Sequence, residues 1–142
     1  MKRRRRTRIL IEGNPILAKR LSETITATYE WKEIIAPHYG LTMVKMRESA
    51  KNSLFYIGEV LITEAKIEIN GAIGIGIVEG MKEQIARQLA IIDAAYNANL
   101  PETQGWGADL LLEEVRINEQ KALEQTKLFE TKVDFQTMEM DS

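Results

Sequence analysis

Asp93 is the side chain of this sequence best placed to do chemistry. The run Ile91-Ile92-Asp93-Ala94-Ala95 sets a carboxylate within an apolar stretch of helix. A buried acid needs donors, and its pKa can be displaced. Asp93 therefore reads either as a functional acid or as a hydrogen bond between helix and sheet, or between subunits. Glu59, Glu64 and Glu68 are the acids of a long predicted strand. Glu64 and Glu68 share a face but stand roughly 13 Å apart at strand rise, too far for a paired-carboxylate centre. Glu59 is a second candidate for a buried polar position. An independent small enzyme using Asp93 and Glu59 needs one pocket that unites them. The single histidine, His38, sits in Pro37-His38-Tyr39-Gly40, and with no cysteine in the chain it falls short of a usual zinc set. It reads as a turn residue.

Gly71, Gly74, Gly76 and Gly80 invite comparison with a dinucleotide fingerprint. Counted from Gly74, the third glycine of G-x-G-x-x-G falls on Glu79, where a carboxylate would meet the pyrophosphate. The first two glycines also lie inside a strand, so the reading fails. Paired glycines instead leave one strand face bare for another backbone, from a helix of this chain or from another subunit. The sequence contains no phosphate-binding loop, nucleophile elbow, HExxH or calcium-loop motif, and no recognisable nucleophile with its base. No catalytic residue and no metal ligand is assigned, and no cofactor is expected on this chain alone.

Charge is unevenly spread over the 142 residues. Lys2, Arg3, Arg4, Arg5, Arg6 and Arg8 open the chain without an acid among them, and the remainder carries 13 bases against 21 acids. A basic run can grip phosphates by counterion release, which gives one reading: a stand-alone nucleic-acid-binding regulator. The acidic body would repel a polyanion, so an arm that docks on its own body or on an acidic partner is the simpler account. With 44% hydrophobic and 28% charged residues the composition is that of a globular protein. No apolar run approaches the roughly 18–20 residues needed to cross a bilayer. The basic start is not followed by a secretory-type apolar stretch. A cytoplasmic location is expected.

The elements that must position these residues follow from periodicity. A short helix over Arg4–Glu12 closes at Gly13, and Asn14-Pro15 caps a second helix running to about Thr26. From Tyr29 to Val78 the apolar period becomes two. Strands are predicted over Glu30–Ala36, Leu41–Arg47, Phe55–Ile69 and Ala72–Val78, with Asn70-Gly71 as a type I′ hairpin turn. Helices over Met81–Ala98 and about Ala108–Phe129 follow, then an extended tail over Lys132–Met138. The second of these helices has a thin stripe (Leu111, Leu112, Val115, Ala122, Leu123), which implies a partner. The fold class is α+β: an N-terminal helix pair, an antiparallel meander of about four strands, two C-terminal helices and a tail. The expected organisation is a basic arm over 1–8, one α+β domain over 9–131 and a tail over 132–142.

Leu54-Phe55-Tyr56-Ile57-Gly58-Glu59-Val60-Leu61-Ile62-Thr63-Glu64-Ala65 resembles the PhnG family. The Gly71–Gly80 segment, Ile91–Ala95, and Lys132-Val133-Asp134-Phe135 with Thr137-Met138 agree in order and spacing, as does Ile9-Leu10 through Leu21. The resemblance covers nearly the whole chain; the Arg3–Arg6 run is not carried over as a family feature.

The resemblance implies a subunit of the carbon–phosphorus lyase core complex, beside PhnH-, PhnI- and PhnJ-like chains. A PhnL-like ATPase joins for the first step, in which ATP and an alkylphosphonate give adenine and α-D-ribose 1-alkylphosphonate 5-triphosphate. In that family setting PhnI carries the nucleosidase activity and PhnJ the iron–sulfur radical chemistry. The chain is then expected to be a scaffold within a transferase-type complex. Its partner contacts are expected at Gly74, Gly76, Val133, Phe135 and Met138, through strand addition or helix-in-groove docking.

Overall fold

The computed structural model describes the backbone of residues 1–47 and 54–140, and side chains over 1–45 and 57–131. Helices α1 (Arg3–Glu12) and α2 (Pro15–Thr28) open the chain. Asn14 caps α2 as its sequence implies, its side-chain oxygen accepting the Ile16 N–H at 3.0 Å, with Pro15 at the first helical position. Strands β1 (Lys32–Arg47), β2 (Leu54–Ile69) and β3 (Ala72–Glu79) form an antiparallel sheet in the order β1-β2-β3. Asn70 (φ 50°) and Gly71 (φ 79°) make the β2–β3 turn, both in the left-handed region that a type I′ hairpin requires. Helix α3 (Glu83–Asn97), a 3₁₀ turn over Pro101–Gly105 and α4 (Trp106–Met140) complete the chain.

Two expectations are corrected. The Pro37-His38-Tyr39-Gly40 cluster does not separate two strands, so the meander has three strands and not four. Pro37 lies on an edge strand, where a missing N–H is tolerated, and a register shift between Ile35 and His38 absorbs it as a bulge. The C-terminal segment is not extended: α4 runs unbroken through it to Met140. The alternation of Val133, Phe135 and Thr137 imitates a strand, but nothing from Thr131 to Met140 is a glycine or proline that would stop a helix.

One sheet face packs on α3, and α2 lies against α3 from the far side. Ala65, Ile67 and Ile69 on β2 face Ala86, Ala90 and Ala94 on α3, all at 0% exposure. The alanines let helix and sheet approach closely, and Gly74 and Gly76 on β3 complete that approach. A Cβ on Gly74 would overlap Ala94 N and Ala90 O, and one on Gly76 would overlap Ala86 O. The two glycines are buried under α3 of their own chain. They are not a surface for a partner, which corrects the expectation placed on them.

Candidate functional site

Asp93 projects from the middle of α3 and is 4% exposed. Its Oδ1 accepts from Arg6 Nη2 at 2.7 Å and lies 3.2 Å from Arg3 Nε. Its Oδ2 accepts the main-chain N–H of Ile75 on β3 at 2.9 Å. The Arg6 guanidinium also stacks 4.0 Å over the Tyr96 ring, and Tyr96 meets Trp106 edge-on at 5.6 Å. Burial pulls the Arg6 pKa down against the opposing charge of Asp93. Burial likewise raises the Tyr96 phenol, with Arg6 acting in the other direction. Among the described residues no buried side-chain polar atom lacks a partner. Asp93 thus joins α1, α3 and β3 as a helix-to-sheet bond.

Glu59 belongs to none of this. It is exposed on β2 opposite Met43, so the expectation of a buried polar residue at this position is corrected. Its strand outruns the helix layer there, which leaves the side chain in water. Asp93 binds Ile75, whose partner on β2 is Lys66, seven residues from Glu59. At strand rise that is about 23 Å, so no common pocket unites the two acids. His38 is exposed at the β1 bulge, its Nδ1 3.3 Å from Ala36 O. Among the described residues no group of three His, Cys, Asp or Glu is gathered to hold a metal ion. An open groove of about 630 Å³ runs between the α1–α2 turn and α4, but Glu12 and Lys121 on its walls pair with each other at 2.9 Å.

The arginine run is the first two turns of α1 and is largely spent on the body of the protein. Arg3 and Arg6 meet Asp93, while Arg5 Nε donates to Glu114 Oε2 at 2.8 Å with Arg8 3.6 Å away. Glu114, on α4, is held below the ordinary carboxylate range by the hydrogen bond from Arg5. Glu113 is lowered in the same way by Arg116, and also accepts the Asn14 N–H. The basic start therefore straps α1 onto α3, β3 and α4.

The surfaces left without cover are apolar. Trp106, Leu110 and Ile117 turn α4 inward, and beyond Ile117 every residue with a described side chain is exposed. Leu111 (47%), Val115 (53%), Ala122 and Phe129 (68%) form a solvent-facing stripe whose last three members recur every seven residues. The helix runs 23 residues past Ile117, about 35 Å of projection. Val133, Phe135 and Met138 fall in this projecting backbone, and their side chains lie outside the described residues. A second bare patch follows from strand length. β3 pairs only with Ile62–Ile69, so β1 and the first half of β2 continue as a two-stranded ribbon. Leu41, Met43 and Ile57 stand at least half exposed on it. The sequence marked the α4 stripe; it also showed Leu41 and Met43 alternating, but not that the third strand stops short of them.

A family model described as the phosphonate metabolism protein PhnG matches residues 1–140. No curated protein matches the sequence. Among the described residues no helix is long and apolar enough to cross a membrane.

Proposed function

The chain belongs to the PhnG family of phosphonate metabolism, and from that membership we propose that it is a scaffold subunit of a carbon–phosphorus lyase core complex. In this reading it orders PhnH-, PhnI- and PhnJ-like partners, with a PhnL-like ATPase in the first step. Together they make α-D-ribose 1-alkylphosphonate 5-triphosphate from ATP and an alkylphosphonate. This chain binds no cofactor alone, contributes structure and not catalysis, and works in the cytoplasm.

The observation that carries the reading is the solvent-facing stripe of α4. A helix that buries Trp106, Leu110 and Ile117 and turns Val115, Ala122 and Phe129 to water has one face more than its own core uses. Helices in proteins draw most of their stability from tertiary packing, and a seven-residue repeat suits a second helix laid alongside. Val133, Phe135 and Met138 lie further along the same helix and extend the proposed contact. The nucleic-acid alternative is weaker, because Arg3, Arg5, Arg6 and Arg8 already face carboxylates of this chain.

Co-expression with the PhnI-like protein tests the proposal. The two chains are expected to elute together in size exclusion, and Ala122→Glu with Phe129→Asp is expected to separate them. A wild-type chain that elutes alone in the presence of that protein removes the scaffold reading.

A further inference from the structure

The two edges of the sheet are treated differently. On β3 three of the main-chain groups that a next strand would use, at Ile73 and Ile75, are occupied by side chains. Asp93 accepts the Ile75 N–H at 2.9 Å, Arg3 Nη2 lies 3.4 Å from Ile75 O, and Asn97 Nδ2 donates to Ile73 O at 2.8 Å. These side chains stand in for a neighbouring strand over Ile73–Ile75 and blunt that edge. Register shifts of the β1–β2 pair fall between Glu33 and Ile35 and between Ile35 and His38, where β1 carries the extra residue, and between Val44 and Lys45, where β2 carries it at Ile57. Bulges are a common device for blunting an edge. They leave one regular window, His38–Val44, in unbroken register with Glu64–Gly58. No residue of that window is charged, and Leu41 and Met43 are 67% and 56% exposed along it.

We propose that this window pairs antiparallel with the same window of a second copy of the chain, about a two-fold axis through Thr42, to give one six-stranded sheet. Within it, Gly40–Val44 is its own complement under that axis. Leu41 of each copy lies opposite Met43 of the other, which covers two exposed apolar side chains at each of two equivalent places. Charge agrees as well. Because the extra residue at the Val44–Lys45 shift lies on β2 and not on β1, the same register sets Lys45 opposite Tyr39 of the second copy, whose hydroxyl donates to Glu83 at 2.6 Å. Each Lys45 ammonium thus arrives beside a carboxylate, twice by symmetry, and no like charges face one another. The isologous contact closes on itself at two copies. It is separate from the α4 stripe, which remains open for other chains.

The absence of cysteine makes the test clean. Opposed residues in an antiparallel pair have Cα atoms about 4.5–5.5 Å apart, inside the roughly 4.4–6.8 Å span of a disulfide. Thr42→Cys, oxidised mildly either as the full chain alone or co-purified with partners, is expected to give a cross-linked dimer, whereas Thr24→Cys on α2 is not. In sedimentation of the full chain, Leu41→Lys with Met43→Lys is expected to convert dimer to monomer. Lys45→Glu is expected to raise the dimer dissociation constant at least tenfold, and adding Glu83→Lys to restore it. Reduced, alkylatable thiols in Thr42→Cys after oxidation overturn the proposal. So does a dimer that survives the two lysines. Either result leaves the co-elution test of the α4 stripe untouched, so the two readings fail separately.

Discussion

The Asp93 carboxylate bridges two elements at once, one oxygen taking the Ile75 main-chain N–H at 2.9 Å and the other the Arg6 guanidinium at 2.7 Å. A single acid in the apolar run of α3 therefore fixes α1 to the helix layer and finishes the edge of β3. Removing Asp93 strands the Arg6 guanidinium as an uncompensated buried charge, and removing Arg6 leaves the buried carboxylate only the half-exposed Arg3 as its counter-charge.

Asp93→Ala or Arg6→Ala is expected to lower unfolding stability by about 3–5 kcal/mol, read from the urea midpoint at unchanged slope. The double variant is expected to cost clearly less than the sum of the two, because neither charge is then left alone. Additive losses in that cycle contradict the pairing.

Gly76→Ala is expected to destabilise by about 1–3 kcal/mol or more, since its Cβ overlaps the backbone of Ala86 and Ala90, which cannot rotate away. Gly58→Ala, where nothing lies within 4 Å, is expected to stay within about 0.5 kcal/mol of the parent. Thermal melts of the two variants decide the matter. Equal melting temperatures would mean that α3 does not sit on β3 this closely.

Glu114 has its pKa lowered in the folded state by Arg5. The unfolded chain binds this proton more readily, so the linked stability is present above the ordinary value of 4.5 and fades as pH falls through the lower folded value. Urea midpoints measured from pH 6 downward should therefore fall less steeply for Glu114→Gln than for the parent. Parallel curves would show that the α1–α4 strap does not titrate as described.

Polar pattern and turn chemistry carried much of this fold in plain view. Asn14-Pro15 and Asn70-Gly71 each dictate their local geometry, and the apolar period gives α2 and α3 close to their observed extents. Pro37 misled because a proline's meaning depends on whether its strand is central or at an edge, and pairing decides that. The extended tail misled because alternating Val133 and Phe135 fit either period over so few residues. Asp93 was visible as an anomaly, but its donors stand 87 residues away at Arg6 and 18 away at Ile75. Gly74 and Gly76 announced a close backbone neighbour without saying whose. The open stripe of α4 was legible as an apolar repeat thinner than a core face, and its exposure follows only once Leu110 and Ile117 are seen to take the inward side.

Hydrogen exchange along α4 tests the scaffold reading most directly. In the isolated chain the amides from Asn118 to Thr131 are expected to exchange fast, because every side chain of that stretch is exposed and the exposed Lys121–Glu12 pair is a weak tie to the body. In the assembly with the PhnI-like chain the same amides are expected to become strongly protected while those near Leu110 change little. An assembly that forms and yet leaves Asn118–Thr131 exchanging as in the isolated chain would contradict the claim that this helix is the partner-binding surface.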